Sequence, residues 1–105
     1  MTETQLDHGV DGRLRPIVDK VLELYGITRE VLTEGSGRGP VEARSTYSWL
    51  AVQLGVNVTI EEIAKYVGAS TKSLVVQGVE RVEKLRLTDK WLRESTDRLL
   101  AELRA

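Results

Sequence analysis

Residues 59–85 read TIEEIAKYVGASTKSLVVQGVERVEKL, and this stretch decides the fold. Thr59 followed by Glu62 is a capping box: the hydroxyl accepts from the backbone N–H of Glu62, and the carboxylate reaches back to the N–H of Thr59. Ile60, Ile63, Ala64 and Val67 then recur at the spacing of one buried helix face. Gly68 stands where a left-handed residue stops a helix. A turn follows, Gly68-Ala69-Ser70, and Ser70 is expected to cap a longer second helix with Val75, Val79, Val82 and Leu85 facing inward. Leu74 is expected to join Ile63 and Val67 between the two helices, with Ala64 small where they cross. A strand over 74–76 competes, because several residues are β-branched, but the valine spacing and the cap favour a helix. The layout is a helix-turn-helix at about 59–86.

Outward from this unit, glycine and proline divide the chain into further helices. Leu14, Ile17, Val18, Val21, Leu22 and Tyr25 form one helical face, and Gly26 stops it. Thr28 caps a short helix through Leu32. The stretch Glu34-Gly35-Ser36-Gly37-Arg38-Gly39 is a loop, and no Lys-Ser/Thr pair follows to make it a phosphate cradle. Pro40 fits the first turn of the next helix, in which Tyr47, Leu50, Ala51 and Leu54 share a face before Gly55. Thr88-Asp89 opens a last helix with Leu92, Leu99 and Leu103 on one side. Nothing alternates with a period of two for long. The expected fold class is all-α with about six helices: residues 1–10 a flexible tail, and 11–105 a single helical domain.

Composition narrows the function. A chain of 105 residues with 41% hydrophobic residues supports one modest core, and with no Phe that core is mainly aliphatic. The absence of Cys removes disulfides, thiolate catalysis and thiolate zinc sites, and fits a cytoplasmic location. No apolar run approaches the roughly 20 residues of a membrane span, so no membrane partner is expected. Residues 1–8 are polar and acidic, unlike a secretory signal. The net charge of −1 offers no general attraction for polyanions, so any basic surface must be local.

The second helix of the unit supplies one. Its start presents Ser70, Thr71, Lys72 and Ser73, all able to hydrogen-bond and free of carboxylates, and Gln77 and Arg81 continue the same side. A helix N-terminus offers N–H groups to a phosphate. Gln pairs with adenine, and Lys or Arg with guanine, in a major groove. Glu80 and Glu83 oppose this and are expected to face solvent beside Arg81, Lys84 and Arg86.

Residues 41–83 also resemble the C-terminal DNA-binding domain of the bacterial replication initiator DnaA, of the Trp-repressor-like superfamily. The matching positions are Arg44, Trp49-Leu50-Ala51 with Leu54, Thr59-Ile60-Glu61-Glu62-Ile63, Gly68-Ala69, Val75 and Arg81-Val82-Glu83. Val41-Glu42-Ala43-Arg44 is similar to the C-terminal module of REP-associated tyrosine transposases as well. The resemblance implies double-stranded DNA as partner, in replication, transposition or transcription control. It implies contacts from the loop before the first core helix, here reduced to Arg38 with Arg44 just inside the helix. The chain departs from the initiator signature. That signature has an acidic residue, His, Thr, Thr and Val where Thr71, Lys72, Ser73, Leu74 and Val75 stand. The scaffold therefore carries over, but the initiator's base preference does not.

The expected docking places Lys72, Ser73 and Gln77 on bases. Arg38 and Arg44 meet phosphate or minor groove, and Lys65 and Thr71 meet backbone. Other constellations are weaker. His8 has no fixed Asp or Ser beside it for a catalytic triad, and Asp7, His8 and Asp11 resemble a solvated terminus more than a metal site. No enzyme activity, cofactor or metal is expected. Trp49 and Trp91 are expected in the core rather than as base-stacking platforms. Leu85, Leu92 and Leu99, spaced by seven, are expected to pack back onto the domain. The alternative function is a protein-interaction module that kept the fold and lost DNA, pairing with a second copy or another protein through the C-terminal helix, 91–103.

Overall fold

The expected caps set most helix boundaries in the computed structural model, which describes residues 2–68 and 71–105 and the side chains from residue 9 onward. Six helices follow in order: α1 (Thr2–Tyr25), α2 (Arg29–Glu34), α3 (Arg38–Leu54), α4 (Ile60–Tyr66), α5 (Lys72–Thr88) and α6 (Lys90–Arg104). There is no strand among the described residues. Thr28 Oγ1 accepts from Val31 N at 3.2 Å to start α2. At α4 both halves of the capping box form, Glu62 N to Thr59 Oγ1 at 3.0 Å and Thr59 N to Glu62 Oε1 at 2.8 Å. Gly26, Gly55 and Gly68 follow α1, α3 and α4 with φ of 63°, 63° and 93°, values that an L side chain rarely adopts.

Four boundaries differ from expectation. Two of them shorten the loop expected over 34–39: α2 runs on to Glu34 and α3 begins at Arg38, which still leaves Pro40 in the first turn, where its missing N–H has no intrahelical partner to lose. The helix α5 is capped by Thr71, whose Oγ1 accepts from Leu74 N at 3.2 Å. Ser70, the expected cap, lies outside the described residues together with Ala69. Two adjacent hydroxyl residues are equally good caps on paper, and a shift of one changes only which N–H is satisfied. At the other end α1 begins at Thr2, so the helix takes in most of the segment expected as a tail.

The core is organised around α3. Ala43, Tyr47, Trp49, Leu50 and Ala51 are buried, and Ser45, Thr46 and Ser48 with them, because α1, α2, α4, α5 and α6 all pack on this helix. Two of the polar groups have partners within the core: Ser45 Oγ donates to Val41 O, and the hydroxyls of Thr46 and Tyr25 bond each other at 2.9 Å. Tyr47 donates to Ile63 O at 2.7 Å and ties α3 to α4. Burial pushes the Tyr25 and Tyr47 phenols up, so both remain neutral donors.

The closest packing joins α3 to α5. Ser45 meets Gly78 in the middle, and Trp49 meets Arg86 further on, so the two 17-residue helices run side by side in the same sense. A Cβ at Gly78 would lie 3.1 Å from Ser45 Cα, closer than real Cβ atoms usually come. The missing side chain is what lets the backbones approach.

This packing keeps the expected inward face of α5 but leaves Leu74 outside it. Val75, Gly78 and Val82 are buried, Val79 and Leu85 are half-buried, and Leu74 is 51% exposed. Leu74 therefore does not fill the space between α4 and α5, where Ile63, Ala64 and Val67 are buried. On α6, Leu92 and Leu99 are buried and Leu103 is half-buried, so the leucine seam packs onto the domain as expected. Trp49 is in the core, but Trp91 is 49% exposed and meets Tyr25 edge-on, with centroids 5.8 Å apart. Its place near the start of α6 puts it beside the core rather than over it.

Candidate nucleic-acid interface

With Val75, Gly78 and Val82 turned inward, two rows along α5 remain outward at four-residue spacing. One is Lys72, Val76, Glu80 and Lys84; the other is Ser73, Gln77 and Arg81. All seven side chains are exposed. Lys72, Ser73, Val76 and Gln77 line one shallow hollow at the N-terminal half of the helix. No carboxylate occurs from Thr71 to Val79, and the first is Glu80. The local charge is therefore positive on a chain that is slightly negative overall.

Gln77 also forms the rim of a second feature, a cleft of about 270 Å³ between α3 and α5. Arg44, Ser45 and Ser48 line it from α3, and Leu74, Gln77 and Arg81 from α5. Its two charged residues are both arginines, but they are held differently. Arg44 Nη1 donates to Leu32 O at 2.7 Å and to Gly35 O at 3.0 Å, closing the carbonyl end of α2. Arg81 makes no ion pair or hydrogen bond among the described residues and is exposed.

The remaining expected residues are dispersed. Thr71 is exposed, and its hydroxyl already accepts from Leu74 N. Lys65 is exposed in the last turn of α4. Arg38 is exposed as the first residue of α3. Neither Lys65 nor Arg38 lines the hollow or the cleft. The structure thus brings together Lys72, Ser73 and Gln77, and separately Gln77, Arg81 and Arg44. Ser70 lies outside the described residues.

Sequence reasoning missed Leu74 and Val76 on α5 and, among others, Ser45 and Ser48 on α3. The available signal was Gly78. A glycine in the middle of a helix weakens it unless another backbone comes close. Gly78 shares the buried face with Val75 and Val82, and adding it to that face turns Leu74 and Val76 outward.

No known family model matches the chain, and no solved structure matches it.

Proposed function

We propose that the chain binds double-stranded DNA with sequence preference, laying the N-terminal half of α5 in the major groove. The observation that supports this best is the grouping of Lys72, Ser73 and Gln77 round one hollow, with the Ser73–Gln77 row continuing to Arg81 without a carboxylate on it. Gln77 offers an amide for the paired donor and acceptor of adenine, and Lys72 offers donors for guanine. Arg81, one turn further along, has its guanidinium available for a backbone phosphate. The capped helix α4 ahead of α5 and the resemblance to the initiator's C-terminal domain favour the same reading. Control of replication, transposition or transcription in the cytoplasm is the setting it implies, and the chain acts there by binding rather than by catalysis.

Fluorescence anisotropy with random-sequence duplexes at about 50 and 200 mM salt tests this. Binding is expected to weaken steeply with salt. The Lys72→Ala/Arg81→Ala double variant is expected to lose at least about tenfold in affinity and to flatten the salt dependence. Absence of binding at either salt, or full affinity in the double variant, removes this docking face.

One observation favours a second reading, a protein-interaction module. Leu87 and Trp91 are 79% and 49% exposed at the corner between α5 and α6. A salt-insensitive dimer in size-exclusion chromatography, abolished by Trp91→Glu, would support that reading instead.

A further inference from the structure

We propose that Val76 makes α5 a reader of the 5-methyl group of a pyrimidine, in thymine or in 5-methylcytosine. This rests on the DNA reading above and adds a specificity that its polar residues do not supply.

Val76 has no role inside the domain. The buried face of α5 is complete with Val75, Gly78 and Val82, and Val76 is 42% exposed. A β-branched residue on an outer helix surface lowers helix propensity, so local stability does not favour it there either. Its neighbours are the three side chains assigned to base edges: Lys72, Ser73 and Gln77 line the same hollow. Val76 is therefore an apolar spot bordered by hydrogen-bonding groups, with Glu80 one turn further along its row. In the major groove only the 5-methyl of a pyrimidine has matching character, an apolar group surrounded by donors and acceptors of base edges. Lys72 lies one helical turn before Val76, and Gln77 lies directly after it. A methyl against Val76 would thus belong to a base pair next to those the polar residues read. Leu74 is also exposed, but it lines the cleft against α3 and not this hollow.

The test starts from the duplex selected by the full chain out of a random pool. Each thymine is replaced singly by deoxyuridine, which removes only the methyl group. At one position, affinity is expected to fall about fourfold, the effect of returning one methyl-sized surface to water. Val76→Ala is expected to lose about the same on the parent duplex and to bind the thymine and uracil duplexes equally. Its thermal midpoint should change little, because Val76 is not part of the buried core. Where the contacted pyrimidine is cytosine, a gain of about fourfold on 5-methylation identifies methylated cytosine as the source. The proposal is overturned if Val76→Ala still distinguishes thymine from uracil, or if no position responds to the methyl group. Failure to bind any duplex is a different result: it removes the DNA reading itself, and this inference with it.

Discussion

The seam between α3 and α5 ends in two different ways. Beyond Arg81, towards the C-terminal ends, it is closed. Arg86 lies over the Trp49 ring at 4.6 Å from its centroid, and its Nη1 donates to Arg93 O at 3.2 Å, to Asp97 Oδ1 at 2.9 Å and to Thr96 Oγ1. Here α6 covers the seam, and an arginine fastens it. From Val41 to Ser48 on α3 and from Leu74 to Arg81 on α5 the same two helices leave a cleft that flanks the Ser45–Gly78 contact, with Arg81 on its rim and without a partner among the described residues. The two arginines are five positions apart on one helix. One is part of the scaffold and the other is available to a ligand. The difference comes from what a third helix brings near, and not from anything in the arginine or its sequence neighbours.

The comparison depends on the helices touching at Gly78, and the largest expected effect is there. Gly78→Val places branched carbons where a Cβ alone would meet Ser45 Cα at 3.1 Å. Separating the backbones is expected to cost about 3 kcal/mol in urea denaturation, with DNA binding lost alongside. If stability is unchanged, the seam is not held by close approach, and its two ends need another explanation. Next in size is Arg86→Ala. It removes the cation–π contact and the charged donor to Thr96, Arg93 and Asp97, an expected loss of about 2 kcal/mol. Asp97 contributes little of this, since its side chain is 57% exposed. Arg86→Lys keeps the charge but not the planar group, and should recover less than half of the loss. Neither Arg86 variant should alter the salt dependence of DNA binding. A change there would mean that the closed end also meets the ligand.

What was legible in the sequence follows the same division. The end of α1, the start of α2, the end of α3 and both ends of α4 were readable because caps and stops are local chemistry, whereas the starts of α1 and α3, immediately before which no capping side chain stands, were not. Thr28, the Thr59/Glu62 box, Gly26, Gly55 and Gly68 act through backbone groups a few residues away. The inward face of α5 was readable from the spacing of Val75, Val79, Val82 and Leu85. The place of Leu74 was not, because the close fit of Gly78 against Ser45, a contact 33 positions away in sequence, leaves Leu74 on the cleft with α3 rather than between α4 and α5. The same limit applied to the aromatics. Trp49 and Trp91 look alike in composition, but only Trp49 falls on the enclosed part of its helix. In the candidate site, Lys72, Ser73 and Gln77 were legible because a four-residue spacing puts them on one surface. The arginines were not, because a guanidinium reaches far enough for distant carbonyls to decide its role.

Arg44 and Arg81 sharpen that last point, with the smallest expected effects. They line one cleft, and both are candidates for a phosphate. Arg44→Ala leaves Leu32 O and Gly35 O without their donor at a half-buried helix end, and should cost about 1 kcal/mol in stability. Arg81→Ala removes no bond within the described residues and should stay within about 0.5 kcal/mol of the parent. In DNA titrations the order reverses. Arg81→Ala should reduce the slope of log affinity against log salt by about 1, the signature of one lost phosphate contact, whereas Arg44→Ala should leave the slope alone. Equal changes of slope in the two variants would show that both arginines hold phosphate across the cleft. In that case the carbonyls of α2 orient Arg44 for the ligand rather than withdraw it, and the division between scaffold and ligand arginines would apply to Arg86 but not to Arg44.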